Sequence, residues 1–465
     1  MSQHPQHPRE KALTVNLDNS RYGSFAEIGA GQEVVRWFFQ AGGAAGTIAK
    51  SISAYDMAVS DAIYGKCARY VCRERLESML GYEYDLTLER LAVSRGESTA
   101  FFSFANTVSA RNYQGTNECH GWLGVRFQAE PGAEASEIII HVRMLDNENA
   151  MQQDALGLVG VNLVYGACYL SDDPDRLVQS LLDGLSVDRL EVDMVDFSGA
   201  AFEQVDNRIM SLRLVQLGLS GAAMFSAGGQ VLQPSEHLRK KSVLVERGRF
   251  RPVTHVNIDM LESALKNMET ELGTEPGEIV AIMEMTLHNL NAGGEVDLDD
   301  FVSRAEVLEA AGHTVLITDY PEYHRLASYL NRNTQGHIGF AMGAQSLLDL
   351  FDESYYQKLP GGLLEGFGRL FKNKVKLHIY PFRDTATGKL LKADNLEVAE
   401  RLHHLYHYLL DNGYLAQLDQ FNEDYLDIFS PEVLKQIGSG QSGWEHKVPA
   451  VVADRIRRKK LFGHP

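Results

Sequence analysis

The chain has 465 residues, which is enough for two or three domains. Its 44 lysines and arginines stand against 62 aspartates and glutamates, and the net charge of −18 argues against general binding to nucleic-acid phosphates. Hydrophobic residues make up 44% and charged residues 23%, which is typical of a globular protein and excludes a largely disordered one. Four cysteines are too few for a disulfide-stabilised scaffold of this length.

The N-terminal residues 1–20 are polar, repeat His-Pro and lack the apolar centre of a leader peptide, so we expect a flexible tail. No window approaches about 18 uninterrupted apolar residues, and no membrane span or membrane partner is predicted. We therefore expect a cytoplasmic protein whose cysteines are thiols. Cys67 and Cys72 are predicted to be plain buried or half-buried thiols.

The first half of the chain predicts helices, followed by an alternation of strands and helices. Apolar residues three and four apart indicate helical structure from about 31 to 91. The predicted helices lie at 34–40, 51–64, 67–91, 147–167 and 205–219, and the predicted strands at 137–146, 189–197 and the start of 242–254.

The second half alternates more clearly. The predicted strands are 278–290, 313–320, 337–343 and 375–382, and the predicted helices are 297–312, 321–333, 344–352 and 395–413. Asp297 is placed to cap its helix, and Pro321 suits a first helical position. The pattern predicts an α/β protein with a helical N-terminal segment followed by two Rossmann-like, mostly parallel α/β regions. We expect domains at 21–255 and 256–445 and a basic tail at 446–465.

Several stretches resemble an uncharacterised bacterial protein family: 21–65, 111–128, 138–146 and 288–323. Members of that family carry conflicting labels, TonB-dependent receptor and nicotinate-nucleotide adenylyltransferase. The motifs here support neither label. A TonB-dependent receptor needs a leader peptide and many strands of alternating polarity, which the sequence does not predict. The adenylyltransferase fold typically carries an HxGH-type motif, and neither His120-Gly121 nor Gly312-His313 has the paired histidine.

The first candidate site is the glycine-rich segment AGGAAGTIAKS (41–51). Gly43 and Gly46 could let the backbone approach an anion, with Lys50 and Ser51 adding a charge and a hydroxyl. The segment resembles a Walker A loop, although Ala49 stands where that loop has glycine. The alternative is a turn in which glycines allow helices to pack closely.

The second candidate site is the loop RNYQGTNECHGW (111–122). Arg111 and Asn117 are potential ligand-binding residues, and Glu118, His120 and Cys119 are the candidate catalytic residues. Glu118 and His120 could act as acid or base, and Cys119 as a nucleophile. Adjacent Cys and His do not have zinc spacing, so no metal is predicted. The alternative is a polar loop that satisfies its own backbone.

The third candidate site is the end of the strand that contains His141. His141 and Arg143 share one face of this strand, and ligands bind beyond the carboxyl ends of strands in open α/β sheets. Arg143 and Asp146 would then meet a small molecule, with the arginine suited to phosphate. The alternative is an internal pair between an arginine and a carboxylate.

The fourth candidate site is the corresponding edge of the second half. His288 and Asn291, before the glycines at 293–294, and Asp319, at the next strand end, form a predicted polar floor for a ligand. Asp319 could instead start a helix. The loop lacks GxGxxG, so a standard dinucleotide site is not predicted.

These features favour an enzyme that acts on a nucleotide or another phosphorylated metabolite, with group transfer as the first hypothesis. Glu118 or His120 would move the proton, and Lys50 and Arg143 would stabilise anionic oxygens, provided that these side chains and His288 converge on one crevice. The alternatives are a ligand sensor or scaffold without turnover, and redox chemistry at Cys119. The sequence predicts an anionic small-molecule ligand, names no cofactor, and suggests self-association through the glycine-rich helices of the first hundred residues.

Overall fold

The computed structural model describes residues 7–291, 294–384 and 387–465. The chain divides into two compact units, Met1–Gly221 and Ala222–Pro465. This division differs from the expected boundary near 255. Its reason is strand pairing, because Ala222–Phe225 pairs antiparallel with Thr314–Thr318 and so belongs to the second sheet.

The first unit contains a mixed sheet between layers of helices. Its helices are α1 (Pro8–Leu17), α2 (Val34–Ala41), α3 (Met57–Tyr64), α4 (Arg73–Arg95), α5 (Asn149–Tyr169), α6 (Pro174–Ser180) and α7 (Asn207–Gln216). Its strands are β1 (Arg21–Gly29), β2 (Ile48–Ala54), β3 (Ala100–Ser109), β4 (His120–Gln128), β5 (Ala135–Met144) and β6 (Leu190–Gly199).

In the described residues, the first sheet has the strand order β2-β1-β3-β4-β5-β6. The pairs β1–β2 and β1–β3 are parallel, whereas β3–β4, β4–β5 and β5–β6 are antiparallel. The predicted mostly parallel arrangement therefore holds for only one end of this sheet. Short connections, such as the loop between β4 and β5, can join antiparallel strands but not parallel ones.

Helices α1, α2 and α5 pack on one face of the first sheet and form a continuous apolar core with it. Helix α4 covers the opposite face. Gly124 in β4 permits this approach, because a Cβ atom there would lie 2.7 Å from the Leu80 side chain of α4. Both faces are thus closed over the parallel strands, as such strands require.

Two segments of the first unit correct the sequence analysis. Residues 8–17 of the expected tail form α1, whose Ala12 and Val15 are fully buried; residues 1–6 lie outside the described range. The predicted helix over 51–64 begins as strand β2 and turns helical only at Met57. Strands β1, β3 and β4 were not predicted, because they lie mostly buried and lack a clear polar alternation.

The second unit also contains one large sheet covered by helices. Its strands are β7 (Ala222–Phe225), β8 (Val231–Leu232), β9 (Val243–Arg247), β10 (Val280–Thr286), β11 (Thr314–Thr318), β12 (Ile338–Gly343), β13 (Val375–Tyr380), β14 (Phe382–Arg383), β15 (Leu390–Leu391) and β16 (Leu415–Gln417). Its helices are α8 (Pro234–His237), α9 (His255–Leu272), α10 (Leu287–Leu290), α11 (Leu298–Ala310), α12 (Tyr323–Asn333), α13 (Ala344–Leu350), α14 (Gly362–Leu370), α15 (His403–Asp411), α16 (Ser430–Gly438) and α17 (Ala450–Lys459).

The large sheet of the second unit has the order β16-β13-β12-β9-β10-β11-β7-β8 in the described residues. From β11 to β16 all neighbours are parallel. Numbered along the chain from β9, these six strands have the order 3-2-1-4-5-6, which is the Rossmann order. The α/β class is therefore confirmed, and the mostly parallel arrangement holds for this unit.

Helix boundaries in the second unit also differ from the prediction. The helix predicted over 395–413 is reduced to α15, because Leu396 and Val398 pack into the core from an extended segment. Pro321 precedes the N-cap residue Glu322 and does not occupy the first helical position. The expected basic tail contains α17, which buries Val452, Ala453 and Ile456.

No helix in the described part of the chain is both long enough and apolar enough to cross a membrane.

Candidate functional site

A grid of polar side chains occupies one end of strands β4, β5 and β6 in the first unit. His120 of β4 pairs with Arg143 of β5, and Arg143 pairs in turn with Glu191 of β6. One step along the strands, Trp122 pairs with His141. Directly paired residues share a face of the sheet, so these side chains are neighbours. They lie on the face opposite the main apolar core, which takes Ile140 and Val142 from the same strand β5.

A chain of hydrogen bonds runs through this grid from β6 to β4. Asp193 Oδ1 lies 2.6 Å from His141 Nδ1, and His141 Nε2 lies 2.9 Å from His120 Nδ1. His141 is fully buried and Asp193 nearly so, whereas His120 is half-buried. The pairing shifts between His141 and Val142, so Asp193 is an extra residue in β6, a β-bulge. Bulges re-aim side chains, and this one places the Asp193 carboxylate beside His141.

The hydrogen-bond pattern fixes where the protons lie when both histidines are neutral. An ionised Asp193 accepts only, so His141 Nδ1 donates and His141 Nε2 must accept from His120 Nδ1. This leaves Nε2 of His120 with a lone pair. Burial lowers the pKa of His120 to about 3, and the neighbouring His141 adds to the decrease. His120 is therefore a neutral base near pH 7, at the outer end of the chain.

Arg143 lies beside this chain and is already paired. Its Nη1 is 2.6 Å from Glu191 Oε2, and its Nε is 3.7 Å from Glu118 Oε1. Burial alone would lower the pKa of Arg143, but the carboxylates of Glu191, Asp193 and Glu118 raise it above its ordinary value. The structure therefore shows the internal arginine–carboxylate pair that the sequence left as the alternative for Arg143.

The loop 111–122 is held together by its own side chains. Asn117 accepts from the Asn112 backbone at 2.7 Å and donates to the Ala110 carbonyl at 2.8 Å. The Arg111 guanidinium is exposed and lies 3.4 Å from the Asn147 carboxamide. The Cys119 thiol contacts the Asn117 carbonyl at 3.9 Å. The loop thus brings Glu118 and His120 to Arg143, whereas Arg111, Asn117 and Cys119 make local contacts.

Asp146 lies two residues after the end of strand β5, outside the grid. Its carboxylate accepts from Arg189 Nε at 2.9 Å, and Arg189 also pairs with Asp154 at 3.2 Å. Asp146 therefore anchors the start of α5 to the chain before β6.

The glycine-rich segment 41–51 does not open a helix. Gly43 and Gly46 flank and end a 3₁₀ turn after α2, and Lys50 and Ser51 lie within strand β2. The ammonium group of Lys50 forms an ion pair with Glu83 of α4, whose carboxylate also accepts from Tyr64 at 2.8 Å. The Walker A interpretation fails for this segment, because the strand backbone pairs with β1 and does not present N–H groups to an anion.

A different glycine loop, which was not predicted as a site, connects β1 to α2. Glu27, at the end of β1, accepts from the Val34 backbone at 3.0 Å at the start of α2, and from Asn106 at 3.3 Å. Burial raises the pKa of Glu27 to about 7, although these hydrogen bonds oppose the increase. The protein itself therefore supplies a carboxyl group at this helix N-terminus, where an external anion would otherwise bind.

In the second unit, the polar groups of interest lie at the carboxyl edge of the sheet. His288 of α10, Asn291 after it and Asp319 after β11 are all exposed there; the loop glycine at 293 lies outside the described residues. Between β9 and β12 the strand order reverses, and ligands of such sheets bind beyond the strand ends at this point.

Arg247, the last residue of β9, is fully engaged at this edge. It forms two hydrogen bonds with Glu284, at 2.6 and 3.0 Å, and Thr318 donates to the same carboxylate at 2.5 Å. Arg247 also donates to the Tyr320 carbonyl at 2.7 Å and lies over the Tyr323 ring at 4.3 Å. Glu284 is therefore a structural partner of Arg247.

Three further arginines, which were not predicted as site residues, lie in the loop after β9 and in α11 and are linked through Asp300 and the Arg249 backbone. We call Arg249, Arg251, Arg304 and Asp300 the arginine cluster. Arg251 Nε lies 2.5 Å from Asp300 Oδ1, and Arg304 Nε lies 2.7 Å from Asp300 Oδ2. Burial lowers the pKa of Arg304, and the positive charges of Arg251 and Arg249 lower it further against the effect of Asp300. Arg249 and Arg251 are exposed in the loop after β9. The signal was the sequence RGRFR (247–251) directly after a predicted strand.

Arg304 also connects the arginine cluster to the segment that contains His288, one of the predicted ligand-binding residues. Its Nη1 donates to the Asn289 carbonyl at 3.3 Å, next to His288, and to the Arg249 carbonyl at 3.2 Å. The carboxylate of Asp297, at the start of the same helix, accepts hydrogen bonds from the backbone N–H groups of Asp299 and Asp300. The cluster therefore combines three arginines with one carboxylate, which Arg251 and Arg304 share.

The opposite side of β9 carries a buried carboxyl group that sequence reasoning also missed. Glu246 is fully buried; Asn257 of α9 donates to its Oε1 at 2.8 Å, and its Oε2 has no hydrogen-bond partner among the described residues. Burial raises the pKa of Glu246 well above its ordinary value. A protonated, neutral Glu246 is the form that this environment favours.

Metal-ligating side chains come together elsewhere in the first unit, at Cys67, Cys72 and Glu74. Within the described part of the chain, neither the grid of β4–β6 nor the arginine cluster contains three histidine, cysteine or carboxylate side chains close enough to share one ion.

Known proteins similar to this chain do not assign it to a family. No family model matches the chain, and no curated protein matches it. Among solved structures, it is similar to the competence/damage inducible protein CihA from Agrobacterium tumefaciens, with 16% identity and a TM-score of 0.25 over 36% of this chain and 99% of that chain. It is also similar to a competence or damage-inducible protein from Enterobacter asburiae, with 12% identity, a TM-score of 0.25, and coverage of 34% and 95%. A competence-damaged protein (CinA) superfamily protein from Enterobacter cloacae matches with 13% identity, a TM-score of 0.24, and coverage of 36% and 92%. With TM-scores this low, the fold class rests on the strand topology described above.

Proposed function

We propose that the second unit binds a small anionic metabolite, with a phosphorylated compound as the best-fitting class, at the carboxyl edge of its sheet. The observation that carries this proposal is the arginine cluster, in which the guanidinium groups of Arg251 and Arg304 share the single carboxylate of Asp300 and the nearby Arg249 adds a third positive charge. Guanidinium groups bind phosphate oxygens through pairs of parallel hydrogen bonds. A phosphate group would supply the negative charge that the cluster lacks.

The position of the cluster supports the same proposal. Arg249 and Arg251 belong to the loop after β9, the first strand of the Rossmann order, next to the point where the order reverses. Arg247 is excluded as a ligand-binding group, because Glu284 and backbone carbonyls already satisfy it. The recognition of the anion therefore falls to the residues that follow it.

The charge of the whole chain narrows the class of ligand. A net charge of −18 repels anions at long range, so binding has to come from short-range contacts within the cluster. A compact, multiply charged group such as a phosphate meets this condition better than a long polyanion does. This agrees with the expectation of an anionic small molecule and no general nucleic-acid binding.

The test is a binding titration of the full chain with inorganic phosphate, pyrophosphate and a panel of nucleotides, after native mass spectrometry for a co-purified metabolite. Arg249→Gln and Arg251→Gln change exposed guanidinium groups and should each weaken binding about tenfold or more, as expected for a hydrogen-bonded charge. Arg304 is buried and already bound to Asp300 and to the Arg249 carbonyl, so Arg304→Gln should weaken binding indirectly, by displacing the loop that carries Arg249. Arg401→Gln is the matched control, since Arg401 is a surface residue that pairs with Glu353. Equal binding by the control and the three variants, or no binding by the wild type, would reject the proposal.

Proton transfer in the first unit is a second candidate function, favoured by the Asp193–His141–His120 chain. A carboxylate that orients His141, which in turn orients His120, leaves a lone pair on His120 Nε2 that can accept a proton. Because burial lowers the pKa of His120 to about 3, this nitrogen is a weak base and would hold the proton only transiently. Glu118, near Arg143, is the other acid–base group of this grid. Group transfer onto or from a phosphorylated substrate would use such a base.

Turnover decides between an enzyme and a ligand sensor. If the first unit transfers a proton on a metabolite that native mass spectrometry identifies, His120→Gln should abolish that conversion, whereas the anion binding proposed for the second unit is measured separately and should not change. A wild-type protein that binds the metabolite and leaves it unchanged would favour the sensor and remove the proton-transfer role.

A further inference from the structure

The segment between α3 and α4 places two thiols and a carboxylate together. Cys67 Sγ lies 3.5 Å from Cys72 Sγ, and these sulfur atoms and a Glu74 carboxylate oxygen all lie within 4.8 Å of one another. We propose that Cys67, Cys72 and Glu74 bind a zinc-like divalent metal ion. The sequence predicts plain buried or half-buried thiols at both cysteines, because a free cysteine is most often a small core residue.

The distances suit a tetrahedral ion. Zinc–sulfur bonds of about 2.3 Å at a tetrahedral angle separate two sulfur ligands by about 3.8 Å. The observed separation of 3.5 Å needs a shift of only a few tenths of an ångström. Two thiolates and one carboxylate oxygen supply three ligands, and water or another small ligand would complete the coordination.

Local structure holds the three ligands in place before any metal binds. Cys72 is the residue before the first turn of α4 and is buried, and Glu74 lies within that first turn. The Cys72 thiol contacts the Arg69 carbonyl at 3.0 Å. Tyr70, within the same segment, donates to Asp61 at 3.1 Å and accepts from Thr107 of β3 at 2.6 Å through its carbonyl. The segment is therefore tied to both α3 and the sheet.

The charges around the ligands also fit a metal ion. Two thiolates, one carboxylate and a divalent cation leave a net charge of about −1 in the site. The positive charge of Arg69 acts on the Glu74 carboxylate and would offset part of that charge, whereas Arg73 already pairs with Glu77 and Asp196. The ion would fix the crossing from α3 to α4 over strand β3, and its role would be structural.

The experiment uses the full chain, purified in reducing buffer without chelator. Metal analysis should find about one zinc ion per chain, and titration of the metal-free protein with cobalt(II) should produce cobalt–thiolate charge-transfer absorption. Cys67→Ser and Cys72→Ser should lose this absorption, and Glu74→Gln, which changes an exposed side chain, should weaken cobalt binding. Cys119→Ser and Cys168→Ser are the controls and should bind cobalt as the wild type does.

Two results would overturn the proposal. The first is a wild-type protein that shows no thiolate absorption with cobalt. The second is a disulfide between Cys67 and Cys72, found by peptide mass mapping of protein kept under reducing conditions. Both readouts use the wild-type chain, so they do not depend on whether a cysteine variant folds.

Discussion

The polar clusters of the two units differ in how their charges are balanced. In the first unit, hydrogen bonds connect Asp193, His141 and His120 in series, and nearby Arg143 has two carboxylate partners. In the second unit, the arginine cluster combines three cations with one anion. A cluster whose polar groups are paired with one another does not need an external ion and suits proton transfer. A cluster with more positive than negative charges suits the binding of an anion. The comparison therefore separates a candidate reaction site from a candidate binding site.

The largest effect is expected from Glu284→Ala in the second unit. This change tests whether the Arg247–Glu284 pair, unlike the arginine cluster, serves to stabilise the fold. The change leaves the nearly buried Arg247 without its carboxylate, so the free energy of unfolding should fall by about 3–5 kcal/mol. Urea denaturation of the full chain measures the effect. Glu353→Ala, in a surface pair with Arg401, should cost at most about 1 kcal/mol. Equal effects of the two changes would contradict the contrast.

The next effect is expected from Asp193→Ala in the first unit. It removes the acceptor for the buried His141 Nδ1–H group, and the free energy of unfolding should fall by about 2–3 kcal/mol. Asp193→Asn keeps an acceptor oxygen at the same place and should cost clearly less. Chemical denaturation distinguishes the two variants, and a loss as large for Asn as for Ala would show that the charge matters more than the hydrogen bond.

A smaller effect concerns the pH dependence of stability. The folded pKa of His120, about 3, lies below its unfolded value near 6.5, so the unfolded chain binds more protons between these pH values. Acidification from pH 6.5 towards 3 should therefore destabilise the wild type, and His120→Gln should lose part of that dependence. Unfolding midpoints measured at several pH values test this. An unchanged slope in the variant would mean that other groups cause the acid sensitivity.

The smallest effect is expected from Glu118→Gln. Glu118 is half exposed and 3.7 Å from Arg143, which keeps its closer partner Glu191, so stability should change by less than about 1 kcal/mol. Thermal unfolding measures this. A fold left intact allows any loss of turnover in the variant to be assigned to chemistry; a large loss of stability would instead make Glu118 a structural part of the grid.

The sequence predicted the alternation of the second unit well, because strands and amphipathic helices there carry local signals. Asp297 was expected to cap a helix and does so. Strand β3 (Ala100–Ser109) was missed, because nine of its ten residues are buried and no polar alternation marks it. The segment 51–54 was predicted as helix, since local spacing cannot register the parallel pairing with β1.

Candidate site residues were predicted less well, because a site depends on which strands are neighbours. His120, Glu118 and Arg143 do come together, but Asp193 lies 73 positions from His120 along the chain, and only the sheet order joins them. Lys50 was assigned to an anion loop from its glycine neighbours, whereas its partner Glu83 comes from a helix that the local sequence does not specify.

The apolar pattern of strand β6 shows whether the core requires the extra residue Asp193. Leu190, Val192, Val195 and Phe197 all face the apolar core, so removing Asp193 would restore an unbroken every-second-residue pattern. A shorter strand would thus serve the core as well as the present one. We conclude that the apolar pattern of the sheet does not require this insertion. A one-residue deletion at 193 should therefore lose about as much stability as Asp193→Ala does, because both changes leave the buried His141 Nδ1–H group without its acceptor.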